Sequence, residues 1–330
     1  MCDMNRKRRG IHNLKEIISS IEILSRNSYV FEGKTYTSLN SRPKTTDLEH
    51  NYLDLKDLIY HVHHSRKNIS GVTHTDEYQN EEFLELLSKA NVGFGTWDAG
   101  WRLASIHGNN LVVQRDGLTL WASKKEFSRY DESGIGSEGY LFLQKEYRRL
   151  NSGFYMALSN ALFIYERNYV KVYWNIKPEA GPLLVNEITK NLNASKIPFR
   201  FKILNNPQFF PRSDAAVLYM SKDNLLKSKT KLKRVYQIVR KFLWPETSLF
   251  AKRLAPGVAL AEEIFDEEGF GQRISRLLAE SMINAHCKRI TATNEMLVTI
   301  RQQFEKDGLD VDRPYLNPNS KDDYDLLEGF

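Results

Sequence analysis

Val170-Lys171-Val172-Tyr173-Trp174-Asn175, Pro198-Phe199-Arg200-Phe201-Lys202-Ile203-Leu204-Asn205 and Asp214-Ala215-Ala216-Val217-Leu218-Tyr219 decide how this chain is read. Each is short and apolar at alternate positions, the pattern of a half-buried β-strand. In such a strand successive side chains point to opposite faces. Phe199, Phe201 and Ile203 therefore share one face, and Arg200 and Lys202 the other. Val170, Val172 and Trp174 likewise oppose Lys171, Tyr173 and Asn175. The spacing predicts one sheet with an apolar core face and a second face carrying three cations, a phenol and an amide. Scattered cations on a solvated sheet are the simpler reading of any one of them. Together, with few acids among them, they make an anion-binding surface worth testing.

Pro178 to Leu192 reads as a helix with proline in its first turn. The first two strands are thus joined by a crossover, and are parallel or share a sheet. Downstream, Lys252-Arg253-Leu254-Ala255-Pro256-Gly257 and a helix opening at Gly269-Phe270-Gly271 read as a wall closing a site over that sheet. The expected fold class is α+β: a mixed β-sheet core with flanking helices over residues 91–301. A helical N-terminal region (1–90) and an acidic, loosely ordered tail (302–330) complete it.

Composition narrows the function classes. The 330 residues carry 41% hydrophobic and 27% charged side chains, as an ordinary globular protein does. The net charge of +6 suits an acidic or phosphorylated partner. Two cysteines, Cys2 and Cys287, exclude a disulfide framework and fit a reducing, cytoplasmic compartment. No apolar run reaches the roughly 18–20 residues of a membrane helix, so no membrane partner is expected.

Other motifs carry weaker signals. In residues 1–90, Leu14, Ile17, Ile18, Ile21 and Leu24 have helical spacing, as do Leu55, Leu58, Ile59 and Val62. His61, His63, His64 and His74 invite a metal reading, but ligand spacing is absent and surface histidines at a helix end are the better account. No metal and no cofactor are expected. Gly134-Ile135-Gly136-Ser137-Glu138-Gly139 fits the dinucleotide pattern G-x-G-x-x-G, yet no apolar strand precedes it, so it reads as a loop. Leu111-Val112-Val113 and Leu118-Thr119-Leu120-Trp121 read as a hairpin about Asp116-Gly117. Lys227, Lys229, Lys231 and Lys233 lie in a basic helix, read either as a solvated face or as a dock for an acidic peptide or partner protein. Nucleic acid is not expected there, because no aromatic residues or binding motif accompany the charges.

Longer blocks carry a resemblance. VYWNI (172–176), PFRFKILNNP (198–207), RSDAAVLY (212–219), LAPGVALAEE (254–263) and GFGQRISRLLAE (269–280) resemble the HopA effector family of plant-pathogenic bacteria. They look closer still to the HopA-like lyases of class V lanthipeptide and thioamitide biosynthesis. GFGTWDAGWRL (93–103), RDGLTLWAS (115–123) and SGFYMALSN (152–160) extend the resemblance from Ala90 to His286. Where family members often have His and Cys, this chain has Arg273 and Ser275. The resemblance implies a carbon-oxygen lyase that removes phosphate from phosphoserine or phosphothreonine of a precursor peptide, beside a separate kinase. A type III secreted effector acting in a host cell and a non-catalytic phosphopeptide-binding or kinase-scaffold protein are the alternatives.

Phosphate elimination needs a base for the Cα proton, cations for the departing phosphate and a donor for the enolate oxygen. By chemistry and position, Lys202 is the candidate base, its pKa lowered by Arg200 and Arg212. Arg200, Arg212, Lys252 and Arg276 are candidate phosphate ligands. Tyr219 or Lys171 faces the carbonyl, and Asp214 and Glu280 orient the cations.

Overall fold

The computed structural model describes residues 13–38, 51–67, 80–129, 134–151, 153–163, 168–264 and 268–327. His74 lies outside them. Helix α1 (residues 13–20) runs into strand β1 (Ile21–Ser25), which forms a small sheet with β2 (Ser28–Phe31), β3 (Lys34–Thr37) and β4 (Asn51–Tyr52). Helix α2 (Leu55–Ile59) continues without a break as a π-helical turn, Tyr60–His64. Helix α3 (Glu81–Ala90) follows, capped by the Asn80 side chain.

Strands β5 (Thr96–His107), β6 (Asn110–Arg115), β7 (Leu118–Ser123), β8 (Phe127–Arg129) and β9 (Glu138–Leu143) make a second sheet, in the order β7-β6-β5-β9-β8. It has its own core of Trp101, Leu103, Leu111, Val113, Ala122, Phe127 and Leu141. The expected hairpin is present, with Arg115 opposite Leu118. Asp116 and Gly117 between them both have positive φ, +49° and +80°. Residues 134–139 turn directly into β9, with no helix behind the glycines.

The central sheet has seven strands: β10 (Glu146–Asn151), β11 (Phe154–Leu158), β12 (Asn168–Trp174), β13 (Arg200–Leu204), β14 (Ala216–Ser221), β15 (Lys252–Ala255) and β16 (Val258–Ile264). Their order is β10-β11-β13-β14-β12-β16-β15. The three segments that decided the reading are consecutive neighbours. Helix α4 (Gly181–Asn193) carries the crossover from β12 to β13 and leaves room for one strand. Strand β14 fills it, antiparallel to both, so β12 and β13 run parallel without touching. Every neighbouring pair in this sheet is antiparallel. The described parallel pair lies in the N-terminal sheet, between β3 and β4. The α+β class holds.

Helices α5 (Lys222–Lys227) and α6 (Lys229–Val239) follow β14, and α7 (Phe270–Cys287) and α8 (Thr293–Lys306) follow β16. The apolar face of the sheet, with Val172, Trp174, Phe201, Ile203, Leu218 and Leu260, is completely buried. Helix α4 lies on this face, its Gly181 packed against Ile203, and α6 packs on α4. Helices α2 and α7 lie on the opposite face.

Three expectations need correction. The N-terminal region is not all helical: α1 stops at residue 20, because Ile21 and Ile23 alternate with polar residues and pair with Phe31 and Tyr29. The segment Lys252–Gly257 is an edge strand and hairpin of the same sheet rather than a wall over it. The acidic C-terminal stretch is packed rather than loose: Leu309, Val311, Tyr315, Leu316 and Tyr324 are all buried. Their anchor is Glu262, itself buried. It accepts from Tyr324 Oη (2.7 Å), Ser320 Oγ (2.7 Å), Asn317 N (2.8 Å) and Lys222 Nζ (3.1 Å).

A buried acceptor with this many donors leaves them all unsatisfied when it is removed. Glu262→Ala should therefore cost about 3 kcal/mol or more in urea denaturation, and Tyr324→Phe only about 1 kcal/mol.

Candidate functional site

The register places the site on the sheet. Arg200 and Lys171 both stand opposite Tyr219, one on either side, and Lys171 stands opposite Ala261 of β16. One pair further, Lys202 and Tyr173 both stand opposite Val217. Lys171, Tyr173, Arg200, Lys202, Tyr219 and Glu263 therefore share one face. The Tyr219 ring lies between two ammonium groups, 5.5 Å from Lys171 Nζ and 5.7 Å from Lys202 Nζ. Lys202 also lies 4.5 Å from the ring centre of Phe154 on β11.

Two carboxylates fix the cations around this face. Glu263, 2% exposed, accepts from the Phe270 amide at the start of α7 (3.0 Å) and pairs with Lys171. It occupies the positive end of that helix. Asp214 receives Nε and Nη2 of Arg212, both at 2.8 Å, and the Tyr60 hydroxyl at 3.1 Å. Burial opposes ionisation of Asp214, but the Arg212 guanidinium holds its carboxyl well below the usual range. Burial of Tyr60, with Asp214 beside it, pushes that phenol up.

Lys202 has its ammonium pushed down, first by burial and then by Arg212, while Asp214 and Glu263 pull it back. Burial is the larger cause, where the sequence had suggested like-charge repulsion from both arginines. Arg200 stands two residues away on the same face, over the Phe163 ring at 5.2 Å.

The π-helical turn delivers a residue that sequence reasoning set aside. His64 is 3% exposed. Its ring lies against Tyr60, Tyr173, Phe250 and Phe270, and Nδ1 is 2.9 Å from Ser248 Oγ. Neighbouring backbone clamps it: the Ser213 amide donates to Ser65 O (2.7 Å) and the Leu249 amide to His63 O (2.9 Å). Burial pushes His64 down to about 4, and Lys171, Arg212 and Lys202 add to the fall against Asp214. His63, also 3% exposed, is pushed to about 4 by burial and Arg66, and both its ring nitrogens lack partners. The surface-histidine reading was therefore wrong for these two. Among the described residues no group of three His, Cys, Asp or Glu could hold a metal.

Other candidates lie elsewhere. Lys252 stands opposite Leu260, which stands opposite Val172, so it projects from the apolar face. There it pairs with Asp322 (2.8 Å) and Asp325 of the C-terminal segment. Arg276 pairs with Glu268 (2.9 Å) and Glu280 (3.3 Å). Arg276 and Glu280 line a separate cavity of about 280 Å³ with Tyr29, Asp54, Lys56 and Ile283. The expected convergence of Lys202, Arg212, Lys252 and Arg276 is thus corrected: the first two meet and the last two do not. Lys227, Lys229 and Lys233 are exposed and Lys231 half-buried, on helices packed behind the apolar face.

These elements define an α+β protein with an ionisable cluster held between one face of an antiparallel sheet and the start of a helix. The chain belongs to the HopA1 effector protein family, whose sequence pattern matches residues 146–316, just over half of it. Among solved structures it is similar to the effector protein from Pseudomonas syringae pv. tomato strain DC3000. That likeness has 16% identity and a TM-score of 0.48 over 85% of this chain and 93% of that one. The effector protein from Pseudomonas syringae pv. syringae strain 61 is similar at 16% identity and a TM-score of 0.47, over 80% and 89%. No curated protein sequence matches. No described helix is long and apolar enough to cross a membrane.

Two outcomes follow from the histidines and the glycine beside them. A Cβ at position 271 would fall 2.5 Å from His64 Nε2. Gly271→Ala should therefore displace the ring and cost about 1–3 kcal/mol. His63 and His64 stay neutral in the fold down to about pH 4, but protonate near 6.5 when unfolded. Between those values the unfolded chain binds more protons, so stability falls as pH falls, by up to about 3 kcal/mol per histidine. Urea denaturation at a series of pH values measures the slope, which His63→Phe should roughly halve.

Proposed function

We propose that this protein is a lyase that eliminates phosphate from phosphoserine or phosphothreonine in a peptide, after a separate kinase has phosphorylated it. The observation that carries the reading is Lys202: a lysine with its ammonium pushed down, on a sheet face shared with Lys171 and Tyr219 and beside Arg212. A lysine whose ammonium is pushed down gives up its proton more readily than a free one, which favours it as a base for a weakly acidic Cα proton.

The roles follow from position. Lys202 takes the Cα proton, and the electron pair forms the Cα–Cβ double bond as the Cβ–O bond to phosphate breaks. Arg212, oriented by Asp214, offers its remaining Nη donor to the departing phosphate. Neutral His64 offers a ring donor to the same group. Tyr219 and Lys171 face the carbonyl oxygen that carries enolate charge, and Glu263 keeps Lys171 in place. Lys252, Arg276 and Glu280 take no part. The chemistry calls for no metal and no covalent nucleophile.

Lys202→Met keeps the aliphatic stem over Phe154 and removes the base. It should lower turnover of a phosphothreonine peptide by at least about 10³-fold, while affinity stays within about tenfold. Mass spectrometry reads the reaction, because elimination leaves a dehydroamino acid and hydrolysis leaves the alcohol. Undiminished turnover in the variant removes Lys202 from the role. Binding without any elimination by the wild type turns the protein into a phosphopeptide-binding module.

A further inference from the structure

Lys67 belongs to no motif, yet the chain brings it to the edge of the cluster. Its amide donates to His61 O (2.8 Å) just past the π-helical turn, which fixes where the side chain starts. Its ammonium lies 6.0 Å from the ring centre of Phe209. Phe209 closes the short 3-10 turn Pro207–Phe209, in the connection that also carries Arg212 and Asp214. The Arg212 guanidinium in turn lies 6.0 Å from the ring of Phe154, on which Lys202 also sits. Three cations, Lys67, Arg212 and Lys202, thus follow one another along two aromatic rings.

One carboxylate, Asp214, faces this row, and both of its oxygens are already held by Arg212. The other carboxylate of the cluster, Glu263, is held by Lys171 and the start of α7. Among the described residues Lys67 makes no ion pair. Burial and then repulsion from Arg212 push its ammonium down, against Asp214. Like charges set side by side without an anion between them are unfavourable until a ligand supplies one. A single phosphate at Arg212 and His64, with Lys202 as the base, leaves Lys67 unmatched at the outer end of the row. The rings beneath add an apolar floor that suits the stem of an extended peptide side chain.

We propose that Lys67 and Arg212 form a second anion subsite, which reads an acidic or phosphorylated residue flanking the residue that loses its phosphate. This rests on the phosphopeptide reading of the cluster. It defines the substrate class as a peptide with at least two anionic side chains close together, rather than an isolated phosphoresidue.

The test uses fluorescently labelled phosphothreonine peptides with alanine flanks, in which glutamate is placed at each of the three positions on either side. Affinities are measured by anisotropy on full-length Lys202→Met protein, so that the peptides are not consumed. One position of glutamate should tighten binding about tenfold over the alanine-flanked peptide at low salt, and less at high salt. Adding Lys67→Met should bring that ratio to about one, and adding Lys67→Arg should keep it. A ratio unchanged by Lys67→Met, or no position that improves binding, overturns the subsite while leaving the phosphopeptide reading intact. Failure of the wild-type protein to bind or convert any phosphothreonine peptide overturns both.

Discussion

A β-strand turns alternate side chains to opposite faces, and the central sheet depends on that constraint. Val172, Leu218, Phe201 and Leu260 lie in adjacent strands on one face and exclude water completely. One residue along each strand, Lys171, Tyr219, Lys202 and Ala261 belong to the other face. A shift of one residue in β12 or β13 would exchange the two sets and bury ammonium groups in the apolar core. The hydrophobic register that stabilises the sheet is thus what assembles the charged cluster. No separate device is needed to align residues so far apart in sequence.

What surrounds that face sets its chemistry. Strand β16 brings Glu263 and the start of helix α7 the Phe270 amide to one side, the π-helical turn brings Tyr60 and His64 to another, and the β13–β14 connection brings Arg212 and Asp214. Burial discourages charge on Lys202 and His64, and the two carboxylates restrain that effect on the lysine. The balance leaves bases that hold their protons weakly beside an arginine that never releases its own. Such a division of labour among neighbours is typical of sites that move protons.

The sequence made the strands, their faces and the cluster's lysines legible because strand periodicity is local. Lys171, Tyr173, Arg200 and Lys202 could be placed on the polar faces of their strands from alternation alone. The place of Lys252 depended on pairing across three strands, which reversed its face. Arg276 and Glu280, expected at the site, pair with each other along α7 instead, since helix rotation relative to the sheet is not written in the sequence. Glu263 was available from the alternation of Ala259, Ala261 and Glu263 in LAPGVALAEE and was overlooked. His64 and Lys67 were not legible: a π-helical turn and a backbone clamp from Ser213 and Leu249 carry them there. The packed C-terminal segment escaped notice because its acids suggested solvent, while its aromatic residues were answering Glu262.

The sheet formed by β5 to β9 buries its seven core residues among themselves. Substitutions there share few neighbours with the central sheet, so their energetic effects stay local. The family's sequence pattern begins at residue 146, just beyond the last strand of this sheet. Damage to this small core would loosen its own sheet without moving the strands that carry the charged cluster.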